Sequence, residues 1–541
     1  MPALAVAVVA VQLAVAAWGP YELHRDALLY LAMGEHLRLL RMDVPPFIAL
    51  LAAGERLLGD SPAVIHLGTA LAHGALVLLA GAFARRARGG TAAQVLAAFV
   101  VATAPVYMRA GALFQPVVFD QLWWTLALLL LARIPADGRR TGPRARDGAR
   151  LRFSRLSRSD GGRWALLGLV MGLGLLTKFT ILVLAAAMLL GVAASPLRRW
   201  LATPWPWAAA ALAVVVGAPS LTGQLLLDWP FFNQLADLRE AQLGRIAPPA
   251  FITEQLLLVG PAVLIAAGGA VAVLAGRRDA GLCAVAWTAV AAFLLMLAAG
   301  GKPYYIAPLW PALLGIGMAE LERWIRGLKE GRSAARPDTE RATARRPRPA
   351  IATAAGATVG LAVIGFAVVG LPMGLPFLPP EPMARYAGWL GVTRAVTTNT
   401  GEHLELPQDY ADMLGWEALA DSVVRVYRSL PPGDREQAVI LATNYGRAGA
   451  IDFYAGDEIP HAVAPVGSYW FWGPGELPGR VTVVVGADPE DVRGTFFHSA
   501  TLAARVTNPW GVPEERSVGI VVARDPIRPL QELWPSWRGV N

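Results

Sequence analysis

Two carboxylates stand in the polar loop that follows the first apolar run of the chain. Asp26 comes directly after that run, and Asp43 precedes the pair Pro45-Pro46. Two carboxylates near one membrane surface could serve as a general base or as metal ligands. Tyr30 follows Asp26 by one helical turn and would share its face of a helix. Alternatively, both acids are solvated, because aspartate also caps helix ends.

Two of the three lysines lie in unusual surroundings. Lys178 interrupts an apolar run, and Lys302 opens the segment that contains Tyr304 and Tyr305. Charged groups within a membrane usually have a partner or face a cavity, and an ammonium beside hydroxyl groups could hold a phosphate. The alternatives are a lysine that reaches toward the interface and an aromatic belt.

Three further polar residues could line the same cavity or bind a metal ion. Asp120 lies near the start of the fourth apolar run and could equally be a helix N-cap. His24 and His36 could bind a divalent metal together with the two loop aspartates, or they could be ordinary polar surface. The sequence therefore leaves a divalent metal possible without defining a metal site.

Composition decides which kind of scaffold must position these residues. Of 541 residues, 55% are hydrophobic and only 16% are charged, well below the quarter that is typical of soluble domains. Cys283 is the only cysteine, which excludes an intrachain disulfide and cysteine-rich metal sites. The sequence predicts a mainly α, polytopic membrane protein.

Apolar runs long enough to cross a bilayer, about 20 residues each, number about eleven. Residues 164–197 are too long for one span, so we expect two short helices that meet at Lys178, since a lysine at the bilayer centre is costly. The predicted spans are 2–19, 62–84, 92–110, 114–133, 164–179, 180–197, 205–226, 254–275, 281–299, 303–320 and 350–371.

Arginine clusters give these spans an orientation. The loop 134–163 holds nine arginines against three acids, and the linker 322–349 holds nine basic residues against four acids. With eleven spans and a cytoplasmic N-terminus, all the basic clusters fall on the cytoplasmic side. The net charge of +8 is therefore a topology signal, and no nucleic acid partner is expected. The first run lacks a basic start, so we interpret residues 1–19 as an anchor rather than a signal peptide.

Two long loops and the C-terminal region then lie outside. The loops are 20–61 and 228–253, and segment 29–42 in the first loop has the pattern of an amphipathic helix in the interface. We divide the chain into a membrane domain, 1–371, and an extracytoplasmic α/β domain, 372–541. In that second domain, the pattern predicts a helix over 412–430 and strands over 438–443, 480–486 and 518–523. No GxGxxG, Walker A, GxSxG, HExxH or CxxC motif occurs, so nucleotide hydrolysis and zinc proteolysis lack support.

Several motifs resemble the bacterial glycosyltransferase family 39 group, which includes ArnT-like and protein O-mannosyltransferase-like enzymes of the GT-C fold. The similarity runs nearly end to end. One departure is Ala27, where the family commonly has a glutamate after the first aspartate. The matching residues are Asp26, Tyr30, His36-Leu37, Asp43 and Pro45-Pro46 in the first loop; Asp120, Trp123 and Trp124; Gly172, Gly174 and Lys178; Lys302 to Tyr305; and the segments DYADMLGWE, NYGRAGAIDFY and SYWFWGP.

This resemblance implies a multi-pass enzyme of the cytoplasmic membrane that moves a sugar from a polyprenyl-phosphate donor to an extracytoplasmic acceptor. It implies Asp26 as the base, assisted by Asp43. Phosphate binding would fall to Tyr30, Lys178, Lys302, Tyr304 and Tyr305, with His36 and Asp120 elsewhere in the cavity. Membrane lipids are the other expected partners. A lipid or sugar transporter and a catalytically silent GT-C-like protein stay open as alternatives.

Overall fold

The computed structural model describes residues 1–136, 158–241, 247–276, 279–330, 348–391, 396–398 and 401–537. Most of the two basic segments, 134–163 and 322–349, and the pair Arg277-Arg278 lie outside these residues.

The N-terminal part is a bundle of helices. Each of the eleven apolar runs coincides with a helix or with a bent pair of helices. The helices are α1 Pro2–Trp18, α2 Arg25–Glu35, α3 Phe47–Arg56, α4 Pro62–Ile65, α5 Leu67–Arg86, α6 Thr91–Thr103, α7 Pro105–Ala112, α8 Val117–Ala132, α9 Arg158–Thr177, α10 Ile181–Ala194, α11 Trp205–Val216, α12 Ala218–Leu226, α13 Pro230–Ala241, α14 Pro248–Val259, α15 Ala262–Gly276, α16 Ala280–Ala298, α17 Trp310–Glu330 and α18 Pro349–Gly374, with 3-10 turns at Pro196–Ala202 and Pro303–Leu309.

Within the described residues, α5, α16 and α18 are long and apolar enough to cross a membrane unaided. Four bent pairs also qualify when each pair is taken as one span, which brings the number to seven. The bends follow prolines and glycines, which interrupt helical hydrogen bonding. The run predicted as 254–275 divides at Gly260-Pro261 into α14 and α15, which meet at 110°. Helix α18 is apolar all round and mostly exposed, which suits a helix that faces lipid.

The expected break near Lys178 is confirmed. Helix α9 ends at Thr177 and α10 begins at Ile181, so Lys178 lies in the short connection between them. The prediction of an amphipathic interface helix over 29–42 is wrong. Helix α2 ends at Glu35, and most of its residues are buried because it packs between α3 of the bundle and the C-terminal domain.

The C-terminal part carries a five-stranded sheet with strand order β2-β1-β3-β5-β4. The first three of these strands are parallel, and β5 is antiparallel to both of its neighbours. The predicted helix and the three predicted strands are present, while β2 and β4 were not predicted. The elements are α19 Pro380–Leu390, α20 Gln408–Ala411, α21 Trp416–Ser429, α22 Pro432–Arg435, β1 Ala438–Ala442, α23 Tyr445–Ala455, β2 Ala462–Val463, α24 Gly467–Trp472, β3 Val481–Val485, α25 Pro489–Val492, β4 Phe497–Thr507, β5 Ser517–Pro526 and α26 Leu530–Leu533, with 3-10 turns at Gly456–Glu458, Pro513–Glu515 and Trp534–Trp537.

Helix α23 of this domain lies directly against α2 of the bundle. The contact is close because Gly449 faces the Leu28 backbone, and a β-carbon at Gly449 would lie 2.8 Å from the Leu28 carbonyl carbon. Any larger residue would push the two helices apart. The sheet domain is therefore docked on the helix that carries Asp26.

Candidate active site

Asp26 is held at the start of α2 by groups from three parts of the chain. Its backbone N–H donates to Nδ1 of the N-cap residue His24 at 3.1 Å. One carboxylate oxygen accepts from the Tyr445 hydroxyl of α23 at 2.9 Å. The other accepts from Nε2 of Gln115, between α7 and α8, at 2.9 Å. The carboxylate is thus fixed by both the bundle and the C-terminal domain, yet its side chain remains 29% exposed.

The exposed part of Asp26 faces a cavity of about 220 Å³. Four of the sequence-predicted site residues line it: Asp26, Tyr30, Lys178 and Tyr304. Val44, Pro45, Ile48, Gln115, Pro116, Val117 and Thr177 complete the lining. One carboxylate, one ammonium and two phenols therefore share a mainly apolar chamber, the environment in which charges interact most strongly.

Lys178 is paired with aromatic rings. Its Nζ lies 4.6 Å from the ring centroid of Tyr305 and 5.5 Å from that of Tyr304. Both distances fall within cation–π range. The rings hold the ammonium at the cavity wall.

Lys302 lies just before the 3-10 turn that carries both tyrosines. Burial and the nearby Lys178 ammonium lower the pKa of Lys302 to about 8, although Asp409 and Asp26 act in the opposite direction. Two ammonium groups that repel each other would both be stabilised by an anion placed near them. Lys302 is not among the residues that line the cavity.

Asp43 has partners of its own and does not form a pair with Asp26. Its carboxylate accepts hydrogen bonds from the Ser468 hydroxyl of α24 and from Nε2 of Gln234 in α13, the latter at 3.1 Å. Burial raises the pKa of Asp43, and these hydrogen bonds oppose the rise. Asp43 therefore ties the loop to the C-terminal domain, while the next two residues, Val44 and Pro45, line the cavity.

His36 and Asp120 do not line the cavity that the sequence predicted for them. The His36 ring packs on Trp472, with centroids 4.7 Å apart. Asp120 is buried in α8 and accepts a hydrogen bond from the Thr180 hydroxyl at 2.9 Å. Asp120 thus fixes the segment that follows Lys178, and its carboxylate also interacts electrostatically with the Lys178 ammonium at the cavity wall.

Sequence reasoning missed a network of charged groups behind Asp26, in which His24 and Asp412 are buried and Asp409 is partly exposed. His24 Nε2 lies 4.0 Å from Asp409 and 3.9 Å from Asp412, at the N-terminal side of the C-terminal domain. Asp409 accepts from Arg109 at 2.8 Å, and Asp412 accepts from Arg25 at 3.4 Å. Burial raises the pKa of Asp412 to about 6, against the opposing charges of His24 and Arg25. These charges lock the N-terminus of α2 to the domain.

The missed residues lie in sequence segments that resemble the glycosyltransferase family. DYADMLGWE contains Asp409 and Asp412, and NYGRAGAIDFY contains Tyr445 and Gly449. Both segments matched a bacterial subgroup, but their spacing along the chain gave no sign of contact with Asp26.

Comparison with solved structures identifies the fold. The chain superposes on two crystal structures of ArnT from Cupriavidus metallidurans, with 17% sequence identity. In both comparisons the match covers 96% of this chain and 97% of that protein. The TM-score is 0.56 for the apo structure and 0.57 for the structure bound to undecaprenyl phosphate. The chain has the GT-C fold.

Two further comparisons agree with the GT-C fold. The archaeal oligosaccharyltransferase from Archaeoglobus fulgidus, in complex with zinc and sulfate, matches 85% of this chain and 62% of its own length, with a TM-score of 0.51 and 13% identity. The family profile of dolichyl-phosphate-mannose-protein mannosyltransferases matches residues 151–222, which include Lys178. No curated protein sequence matches the chain. The predicted resemblance and the predicted fold class are confirmed.

Proposed function

We propose that this protein is a membrane glycosyltransferase that moves a sugar from a polyprenyl-phosphate donor to an acceptor outside the cytoplasmic membrane. The observation that carries the proposal is the shared cavity, which is lined by both Asp26 and Lys178 and has mainly apolar walls. The ArnT structure with undecaprenyl phosphate supports a polyprenyl-phosphate ligand for this fold.

The donor phosphate would lie near the two lysines. Lys178 lines the cavity, and Lys302 is close enough to Lys178 for the two ammonium groups to interact. Both positive charges would therefore attract the phosphodiester of a bound donor. When the bond between the sugar carbon and the phosphate oxygen breaks, the phosphate gains negative charge. Fixed cations stabilise that charge more in the transition state than in the ground state. The tyrosine hydroxyl of Tyr304 is a further donor.

Asp26 would act on the acceptor. The attacking group loses a proton as its bond to the sugar carbon forms, and Asp26 would accept that proton or orient the nucleophile. Tyr445 and Gln115 each donate to one carboxylate oxygen, and a carboxylate has further lone pairs that could accept a proton from the acceptor. Attack from the Asp26 side, opposite the phosphate, would invert the configuration at the reacting sugar carbon. Asp43 would assist only indirectly, by holding the loop.

The placement in the cell follows from the basic clusters. We propose that the C-terminal domain and the cavity face the outside of the cytoplasmic membrane, with the arginine-rich segments inside. Contacts within the described residues are consistent with two separate ends of the bundle: Arg86 binds Asp279 at 2.7 Å at one end, while Asp26 and the C-terminal domain lie at the other.

The test uses purified protein in proteoliposomes with a panel of labelled polyprenyl-phosphate sugars and candidate protein, glycolipid and glycan acceptors. We expect transfer, or loss of donor, that disappears in Asp26→Asn at unchanged protein abundance. Asp237→Asn, which changes an exposed acid in the other outward loop, is the matched control and should retain activity. Near-normal turnover in Asp26→Asn would contradict the base assignment.

The alternatives give different results in the same vesicles. A transporter would move a labelled lipid between leaflets without breaking it, and a silent protein would leave the donor intact. Ala27, where the family has glutamate, keeps the silent alternative open. Donor consumption that depends on Asp26 would exclude both.

A further inference from the structure

A second cluster of chemically reactive side chains lies at the other end of α2. Glu35 is the last residue of that helix, His36 follows it, and His461 precedes β2 in the C-terminal domain. Their ligand atoms all lie within 4.8 Å of one another. Glu35 lies nine positions after Asp26, a rise of about 14 Å along a helix, and none of the three residues lines the cavity.

One of the two imidazoles is oriented by a buried carboxylate. His461 Nδ1 lies 3.5 Å from Oδ1 of Asp452. Asp452 is itself fixed by the Tyr469 hydroxyl and by the Ala462 N–H, each at 2.7 Å. A carboxylate on one ring nitrogen is the usual support for a metal-binding histidine, because it leaves the other nitrogen free to bind.

The other two side chains are also held. The His36 ring packs between Trp472 and the edge of His461, whose centroid is 5.5 Å away. The Glu35 carboxylate forms an ion pair with Arg56, and Arg56 is fixed by Asp60 at 2.8 Å. Because a carboxylate has two oxygens, this ion pair leaves one of them for an ion.

We propose that Glu35, His36 and His461 bind a divalent transition metal, with zinc as the best match. Two imidazoles and one carboxylate form a common zinc donor set with a fourth position for water. Tetrahedral ligands at about 2.1 Å from zinc lie roughly 3.4 Å apart, so the cluster needs side-chain shifts of about 1 Å to close on an ion. The site requires no catalytic function of the protein.

The metal would clamp the C-terminal end of α2 to the sheet domain. His36 opens the loop that leads to Val44 and Pro45, and both of those residues line the cavity. A metal at His36 would therefore fix the near end of the loop, while Asp43 fixes its far end through Ser468. Together the two attachments would hold the loop against the C-terminal domain.

Zinc binding is tested by calorimetry on protein purified without a histidine tag and stripped with a chelator. We expect about one zinc ion per chain, with affinity reduced roughly 100-fold or more in His461→Ala and in His36→Ala, since losing even a supporting partner costs about 10- to 100-fold. His461 is exposed, so its removal leaves the core intact. His498→Ala, an exposed histidine on β4, is the matched control and should bind like wild type.

Cobalt replaces zinc as a spectroscopic probe of the same site. Wild type should give the strong visible absorption of four-coordinate cobalt, and His461→Ala should lose it. Absence of zinc binding by wild type, or an equal loss in His498→Ala, would overturn the site. Hydrogen exchange tests the clamp: zinc should slow exchange over residues 37–42 in wild type but not in His461→Ala. Unchanged exchange upon zinc binding would overturn the clamp.

Discussion

The Tyr445→Phe substitution tests whether the C-terminal domain completes the active site. It removes one hydroxyl and nothing else, and that hydroxyl donates to Asp26 at 2.9 Å. Hydrogen bonds to charged groups contribute about 1.5–3 kcal/mol. Asp26 is 29% exposed, so cavity water will replace part of the loss and the lower end of this range applies. A loss of about 1.4 kcal/mol corresponds to a tenfold decrease in kcat/KM.

The assay measures the initial rate of sugar transfer in proteoliposomes as a function of donor and acceptor concentration. Because Tyr445 contacts the carboxylate and not the lysines, the loss should fall on kcat and on the acceptor KM, with the donor KM unchanged. Tyr454→Phe is the matched control. Tyr454 lies on the same helix and its hydroxyl accepts from the Leu23 N–H at 3.3 Å, so it also joins the domain to the first loop but does not touch Asp26.

Two results would refute the reasoning. If Tyr445→Phe keeps kcat/KM within about twofold while Asp26→Asn is inactive, the hydroxyl does not position the carboxylate. If Tyr454→Phe loses as much activity as Tyr445→Phe, the effect comes from docking of the domain rather than from the contact with Asp26.

Three further substitutions probe the cations and the docking of α23. Lys302→Ala should raise the donor KM about 10- to 100-fold, because it removes a charge-assisted contact. Lys329 is an exposed lysine of α17, and Lys329→Ala is the control that should leave the donor KM unchanged. Equal effects of the two substitutions would contradict the phosphate role of Lys302. Because the pKa of Lys302 is about 8, wild-type donor affinity should fall as pH rises through 8, and this fall should be absent in Lys302→Ala. Gly449→Val should lower transfer and destabilise the fold by about 1–3 kcal/mol in thermal unfolding, since its side chain would meet the Leu28 backbone; wild-type values would show that the helices can separate freely. Arg447→Met should destabilise the C-terminal domain by about 3–5 kcal/mol, because it removes the counter-ion of the buried Glu515 carboxylate and leaves it the Asn444 amide as donor; unchanged unfolding would refute this.

Local patterns were sufficient for the helices of the apolar runs, for three of the five strands and for the four predicted residues that line the cavity. Apolar runs located the helices because a bilayer requires long apolar segments. The break at Lys178 followed from the cost of a buried ammonium. Each of these features depends on neighbours in the sequence, so a single sequence can indicate it.

Contacts between distant segments were not accessible in the same way. Nothing near Asp43 indicates that Ser468 and Gln234 would occupy its oxygens, and nothing near His36 indicates His461. The segment 29–42 was misinterpreted for the same reason. Its pattern resembles an interface helix, and the sequence does not indicate that α23 packs on α2. Docking of a domain onto a loop depends on the shapes of both surfaces, and the hydropathy of a sequence does not indicate those shapes.

The hydrogen bond between Asp26 and Tyr445 joins residues that are 419 positions apart. A ribosome therefore makes the carboxylate early and its hydroxyl partner late. From the synthesis of residue 305 to that of residue 445, the nascent chain would contain Asp26, Lys178, Lys302 and the two tyrosines without the hydroxyl that helps to hold the carboxylate. A chain truncated before α23 would keep Gln115 as a donor to Asp26 but would lack the Tyr445 hydroxyl, so full activity would require the C-terminal domain to dock.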